Sequence, residues 1–74
     1  MVTVKVVWKD SGEAAKGERV AIGVSGLSGG VTGDEFTDSN GDVHFDLKPC
    51  SGKVYVRGNT AFEGSIEGRV VAYV

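Results

Sequence analysis

FTDSNGDVHF, residues 36–45, sets an Asn-Gly pair between two short runs that each carry a phenylalanine. Asn-Gly readily takes the positive φ angles of a type I′ turn, whose twist matches the strands on either side. A two-residue loop at Asn40 and Gly41 pairs Ser39 with Asp42, Asp38 with Val43, and Phe36 with Phe45. Opposed residues share a face, so Phe36, Val43, Phe45 and Leu47 are expected to point one way. Glu35, Thr37, Asp42, His44 and Asp46 then point the other. A one-residue slip opposes Phe36 to His44 and scatters the apolar set. Turn chemistry and hydrophobic pattern choose the same hairpin.

The rest of the chain extends this pattern. Val2, Val4, Val6 and Trp8 alternate with Thr3, Lys5, Val7 and Lys9, the period of a half-buried strand. KDSGEAAKG (9–17) reads as a polar connection, because Gly12 and Gly17 leave room for one helical turn at most. Val20, Ile22 and Val24 then alternate with Arg19, Ala21, Gly23 and Ser25. GLSGGVTG (26–33) is a glycine-rich loop whose sizeable side chains are Leu27 and Val31.

After the turn KPCSG (48–52), Val54 and Val56 are expected inward, with Tyr55 and Arg57 outward. Residues 58–64 read as a short strand or a bend. SIEGRVVAYV (65–74) alternates Ile66, Val70, Ala72 and Val74 against Glu67, Arg69, Val71 and Tyr73. Six or seven antiparallel strands joined by glycine turns predict one domain over residues 1–74, a small Greek-key β-sandwich. An open β-barrel is the alternative.

Composition narrows the function classes. A 74-residue chain buries only about 60% of its unfolded surface, so its core is small and sensitive to truncation. A net charge of −2 lacks the basic face of a nucleic-acid binder. Twelve glycines against one proline favour turns between strands over helices. The lone Cys50 leaves no partner for an internal disulfide, which points to a reducing compartment or to a domain of a larger protein. MVTVKVVWKD carries Lys5 and Lys9 and no long apolar run, so it reads as a strand, not as a leader or a membrane span. No membrane insertion is expected.

Asp38, Asn40 and Asp42 raise the question of a metal site. Calcium loops of the EF-hand type need glycine at position 6 and a bidentate Glu at position 12. Counted from Asp38, glycine falls at position 4 and Pro49 at position 12. Asp38, Asn40 and Gly41 are instead expected to build the turn, with Asp38 accepting hydrogen bonds from turn amides. His44 with Asp42, Asp46 and Glu35 is the remaining metal candidate. A stable zinc site needs three or four well-placed nitrogen or sulfur ligands, and this set supplies one histidine. The favoured reading is a solvated histidine, no metal and no cofactor.

An enzyme is not expected either. Any Ser-His-Asp or Cys-His arrangement must use His44, which lies mid-strand on an open face. No G-x-S-x-G elbow is present, and GLSGGVTG lacks the Lys-Ser/Thr of a phosphate loop. Cys50 reads as a small turn residue partly packed on the core, and Trp8 as a core anchor. Val7, Tyr55, Val71 and Tyr73 all fall on outward positions. On neighbouring strands they would form an apolar and aromatic patch for a partner or a second copy. Candidate binding residues are therefore Leu27 and Val31 in the loop, with Tyr55, Val71 and Tyr73 on the sheet.

Val4, Val6, Asp10, Gly12, Gly17 and Val20 outline an opening strand, a glycine-containing turn and a second strand. Thr37, Asp38, Gly41, Val43, Phe45 and Leu47 follow as a Thr-Asp, a glycine turn and an alternating strand. Pro49, Gly52, Tyr55 and Val56 complete a Pro-Gly-like turn and a tyrosine-bearing strand. Over residues 4–58 this order resembles the carboxypeptidase regulatory-like and transthyretin-like (prealbumin-like) domains. Ala14 stands where a proline often follows the first glycine, and Cys50 interrupts the Pro-Gly turn. Collagen-adhesin B-type sandwiches are similar too, but their crosslink needs a last-strand asparagine that SIEGRVVAYV lacks.

The resemblance implies a noncatalytic accessory or interaction module, part of a larger protein or assembly and often outside the cell. Its partner would be a protein or a glycan, with no nucleic acid involved. The alternative is a self-assembling homo-oligomer joined through edge strands such as RVVAYV or through an aromatic sheet face.

Overall fold

The computed structural model describes residues 1–26 and 29–74. Its strands are β1 (Val2–Val7), β2 (Arg19–Val24), β3 (Glu35–Phe36), β4 (Asp42–Phe45), β5 (Cys50–Val56), β6 (Asn59–Ile66) and β7 (Arg69–Tyr73). They form two sheets, one ordered β4-β1-β7 and the other β3-β2-β5-β6. This is the expected sandwich of seven strands among the described residues. One pairing departs from the antiparallel expectation: β7 runs parallel to β1, with Val4 beside Val70 and Val6 beside Ala72.

Alternation builds the core. Val2, Val4 and Val6 from β1, Val20 and Ile22 from β2, Val54 and Val56 from β5, and Val70 and Ala72 from β7 are all buried. Val43 and Phe45 join them from β4, and Ile66 from β6. Each full burial of such a side chain contributes roughly 1.5–3 kcal/mol against its exposed state. Trp8, Leu47 and Cys50 pack on this cluster while half-buried.

The stretch 36–45 folds differently from the expected two-residue hairpin. The Gly41 amide donates to Asp38 O at 3.0 Å, and the Asp38 amide donates to Asp42 O at 2.9 Å. Gly41 has φ +77°, while Asn40 is not in the left-handed region. This is a three-residue loop, a turn followed by a left-handed glycine, and Asp38 therefore lies opposite Asp42. The register is slipped by one residue from the expected one. Phe36 consequently points outward and is 65% exposed, whereas Thr37 turns inward and is 5% exposed. Beyond this loop the strands part: β3 pairs with β2, with Phe36 beside Arg19, and β4 pairs with β1.

Thr37 fits the core because its polar group is satisfied. Its hydroxyl donates to Ala15 O at 2.6 Å and accepts from the Glu18 amide at 2.8 Å. Gly41 docks beside it, since a Cβ there would stand 2.7 Å from Val6 O and 3.0 Å from Ala14 Cβ. The 9–17 connection thus does more than span a gap. Ala15 is fully buried, and Ala14 bridges to Val7, which is buried rather than facing solvent as its parity suggests.

The type I′ turn forms at Arg57 and Gly58, with φ +53° and +83° between paired Val56 and Asn59. It opens β6, an eight-residue strand where a short strand or bend was expected. A bulge follows at once: Val54 lies opposite Phe62, yet Tyr55 lies opposite Thr60.

Candidate functional site

The outer face of the three-stranded sheet gathers most of the chemistry. Thr3 lies beside His44 and Lys5 beside Asp42 on one flank. On the other, Thr3, Lys5 and Val7 lie beside Arg69, Val71 and Tyr73. Thr3 Oγ1 and His44 Nδ1 share a hydrogen bond of 2.8 Å. Lys5 Nζ donates to Asn40 O at 2.8 Å, which ties β1 to the turn. Arg69 Nη2 stands 3.9 Å from Asp42 Oδ1, an ion pair too long for a hydrogen bond. That oxygen is buried with no hydrogen-bond partner among the described residues.

The metal candidates are only partly brought together. Glu35, His44 and Asp46 border one shallow hollow of about 340 Å³ with Thr32 and Leu47. Asp42 is turned away toward Arg69. Among the described residues no three His, Cys, Asp or Glu side chains cluster closely enough to hold an ion.

Asp38, Asn40 and Gly41 form the turn as expected, with a division of labour. Asp38 Oδ1 accepts from the amides of Asn40 at 2.8 Å and Asp42 at 3.0 Å. The Asp42 amide first, and the Asn40 amide second, hold the Asp38 carboxyl below its ordinary value. Gly41 supplies the left-handed residue.

The binding candidates separate. Tyr55 lies in β5 of the four-stranded sheet, while Val71 and Tyr73 lie in β7 of the three-stranded sheet. The single face joining Tyr55 to Tyr73 does not form, because strands adjacent in sequence pattern belong to different layers. Tyr55 instead lies over Gly23, where a Cβ would come within 2.8 Å of its ring. With Arg19, Ala21, Val31 and Asp34 it borders a shallow hollow of about 360 Å³. Val31 bridges to Gly23 and is 68% exposed. Leu27 lies outside the described residues.

Val71 and Tyr73 keep their expected exposure on β7. Among the described residues no strand hydrogen-bonds to the outer edge of β7, and at its far end Tyr73 borders a hollow with Asn59, Thr60 and Ala61 of β6. Gly68 O accepts from the Thr3 amide at 2.8 Å, and the Val74 amide donates to Val7 O at 2.9 Å. In a parallel ladder the residues facing the neighbour alternate. Gly68, Val70, Ala72 and Val74 therefore turn their backbone groups toward β1. Arg69, Val71 and Tyr73 turn theirs to the free side.

One cluster escaped the sequence reading. Arg57 Nε lies 3.4 Å from Glu18 Oε2, and its guanidinium sits 5.6 Å from the Trp8 ring centroid. The Arg57-Gly58 dipeptide between two alternating runs was the available signal.

Among the described residues no helix is long and apolar enough to cross a membrane. Compared with known protein-family models, curated proteins and solved structures, the chain matches none.

Proposed function

We propose that this chain is a noncatalytic interaction module that recognises an extended protein strand along β7. The observation that carries this reading is the open β7 edge, where Arg69, Val71 and Tyr73 offer both backbone groups and exposed side chains. Strand addition draws its affinity from such main-chain groups and its selectivity from alternate side chains. The other edges carry devices that discourage pairing. β3 has two residues, β6 carries a bulge and Gly64 at φ +144°, and the Asp42 carbonyl of β4 is already bonded to Asp38.

A noncatalytic role is supported by the separation of the nucleophile and base candidates. His44 lies on β4 and Cys50 on β5, in different sheets. The resemblance of residues 4–58 to the transthyretin-like domains belongs to the same proposal.

An NMR titration of the labelled chain tests the partner class. A capped hexapeptide of alternating Thr and Val should shift the amides of Arg69, Val71 and Tyr73, and a glucan hexaose should not. Shifts confined to Val31 and Tyr55 on adding the hexaose would assign the partner to glycans and to the other sheet.

A further inference from the structure

We infer that the strand received by β7 is that of a second copy, paired antiparallel about a two-fold axis at Val71; this rests on the strand-addition reading above. The residues that face the free edge limit the register, and the side chains choose within that limit. Arg69, Val71 and Tyr73 are spaced by two, so their backbone groups can form hydrogen-bonded pairs with an identical strand. Centring on Val71 sets Val71 against its own copy and Arg69 against the partner's Tyr73, on both sides of the axis. Each pair exchanges both bonds, giving roughly six between the strands.

The side chains favour the same register. Arg69 and Tyr73 are opposite numbers that attract, a guanidinium beside an aromatic ring. Between them the exposed Val71 side chains meet and are covered. Centring on Arg69 would oppose two like charges, which is unfavourable. Centring on Tyr73, or on the non-hydrogen-bonded positions Val70 or Ala72, would lose both Arg–Tyr pairs. The inward residues Val70 and Ala72 are already buried in their own sandwich and need not move. The product is a continuous sheet of two three-stranded halves. Isologous pairing of this kind closes on itself and does not propagate into a fibre.

Sedimentation equilibrium on the 74-residue chain tests this, from about 10 μM to about 1 mM, the range of a weak interface. The chain should pass from monomer to dimer and no further. Val71→Pro removes an amide that faces the open edge, a position where an edge strand tolerates proline. It should raise the dissociation constant by about 100-fold or more, since the central bonds are lost and the ring intrudes. Should that variant fail to fold, Tyr73→Arg carries the test. It sets like charges opposite and should weaken pairing by about tenfold. The exchanged double variant Arg69→Tyr/Tyr73→Arg restores the cross-strand pairs and should return to within about threefold of the parent.

A chain monomeric throughout overturns self-pairing, and peptide shifts at β7 would then leave strand addition standing. A dimer unaffected by both Val71→Pro and Tyr73→Arg overturns the β7 interface. Peptide shifts absent from β7 in a chain that sediments as a monomer overturn strand addition itself.

Discussion

The Thr37 hydroxyl reaches the Ala15 carbonyl at 2.6 Å inside the sandwich, joining the 9–17 connection to the corner before β4. Together with the Glu18 amide it makes Thr37 a buried polar residue with both bonding roles filled. Thr37→Val keeps the shape and strands two partners. It should cost roughly 1–3 kcal/mol, read as the loss in a urea unfolding midpoint at constant slope. Thr37→Ser keeps both bonds and should lose clearly less.

The β2–β5 pairing depends on Gly52. A Cβ there would run into the Gly23 carbonyl, with no flexible side chain to yield. Gly52→Ala should destabilise by roughly 2–3 kcal/mol, an overpacking cost. Gly30→Ala meets nothing within 4 Å among the described residues and should stay within about 0.5 kcal/mol. Thermal midpoints of the two variants would separate steric blockage from a general effect of losing glycine.

Arg57 holds φ +53° without being glycine. Arg57→Gly and Arg57→Ala both lose the contacts to Glu18 and Trp8, but only alanine keeps the strained backbone. Arg57→Ala should therefore be less stable than Arg57→Gly by about 1 kcal/mol. Equal unfolding free energies would show that the turn tolerates a Cβ freely.

Asp38 predicts a pH dependence. Its folded carboxyl titrates below the ordinary value of 3.8, so between the two values the unfolded chain binds more protons. Its contribution is complete above the unfolded value and is lost as pH falls through the folded one. Asp38→Asn removes this titration. Across about pH 5 to about pH 2 its thermal midpoint should fall less than the parent's. Parallel pH profiles would exclude the role.

Much of this architecture was legible in alternation. The inward sets of β1, β2, β5 and β7 and the outward Arg69, Val71 and Tyr73 are all placed as period two requires. The reading failed where a decision was not local. Asn40-Gly41 permits both a two-residue and a three-residue loop, and the choice moves Phe36 out and Thr37 in. Docking of Gly41 against Val6 and Ala14 provides the missing constraint, from residues more than twenty positions away. Tyr55 and Tyr73 share an outward parity, but parity says nothing about which sheet a strand joins. Arg57-Gly58 carries little turn signal in sequence, because an arginine seldom takes the left-handed conformation.

Amide hydrogen exchange along β7 tests the central claim most directly. At low protein concentration the amides of Arg69, Val71 and Tyr73 face solvent, while those of Val70 and Ala72 bond to β1. Raising the concentration should slow exchange at Arg69, Val71 and Tyr73 and leave Val70 and Ala72 unchanged. Concentration-independent exchange at Val71, in a chain that remains folded, would contradict pairing through this edge.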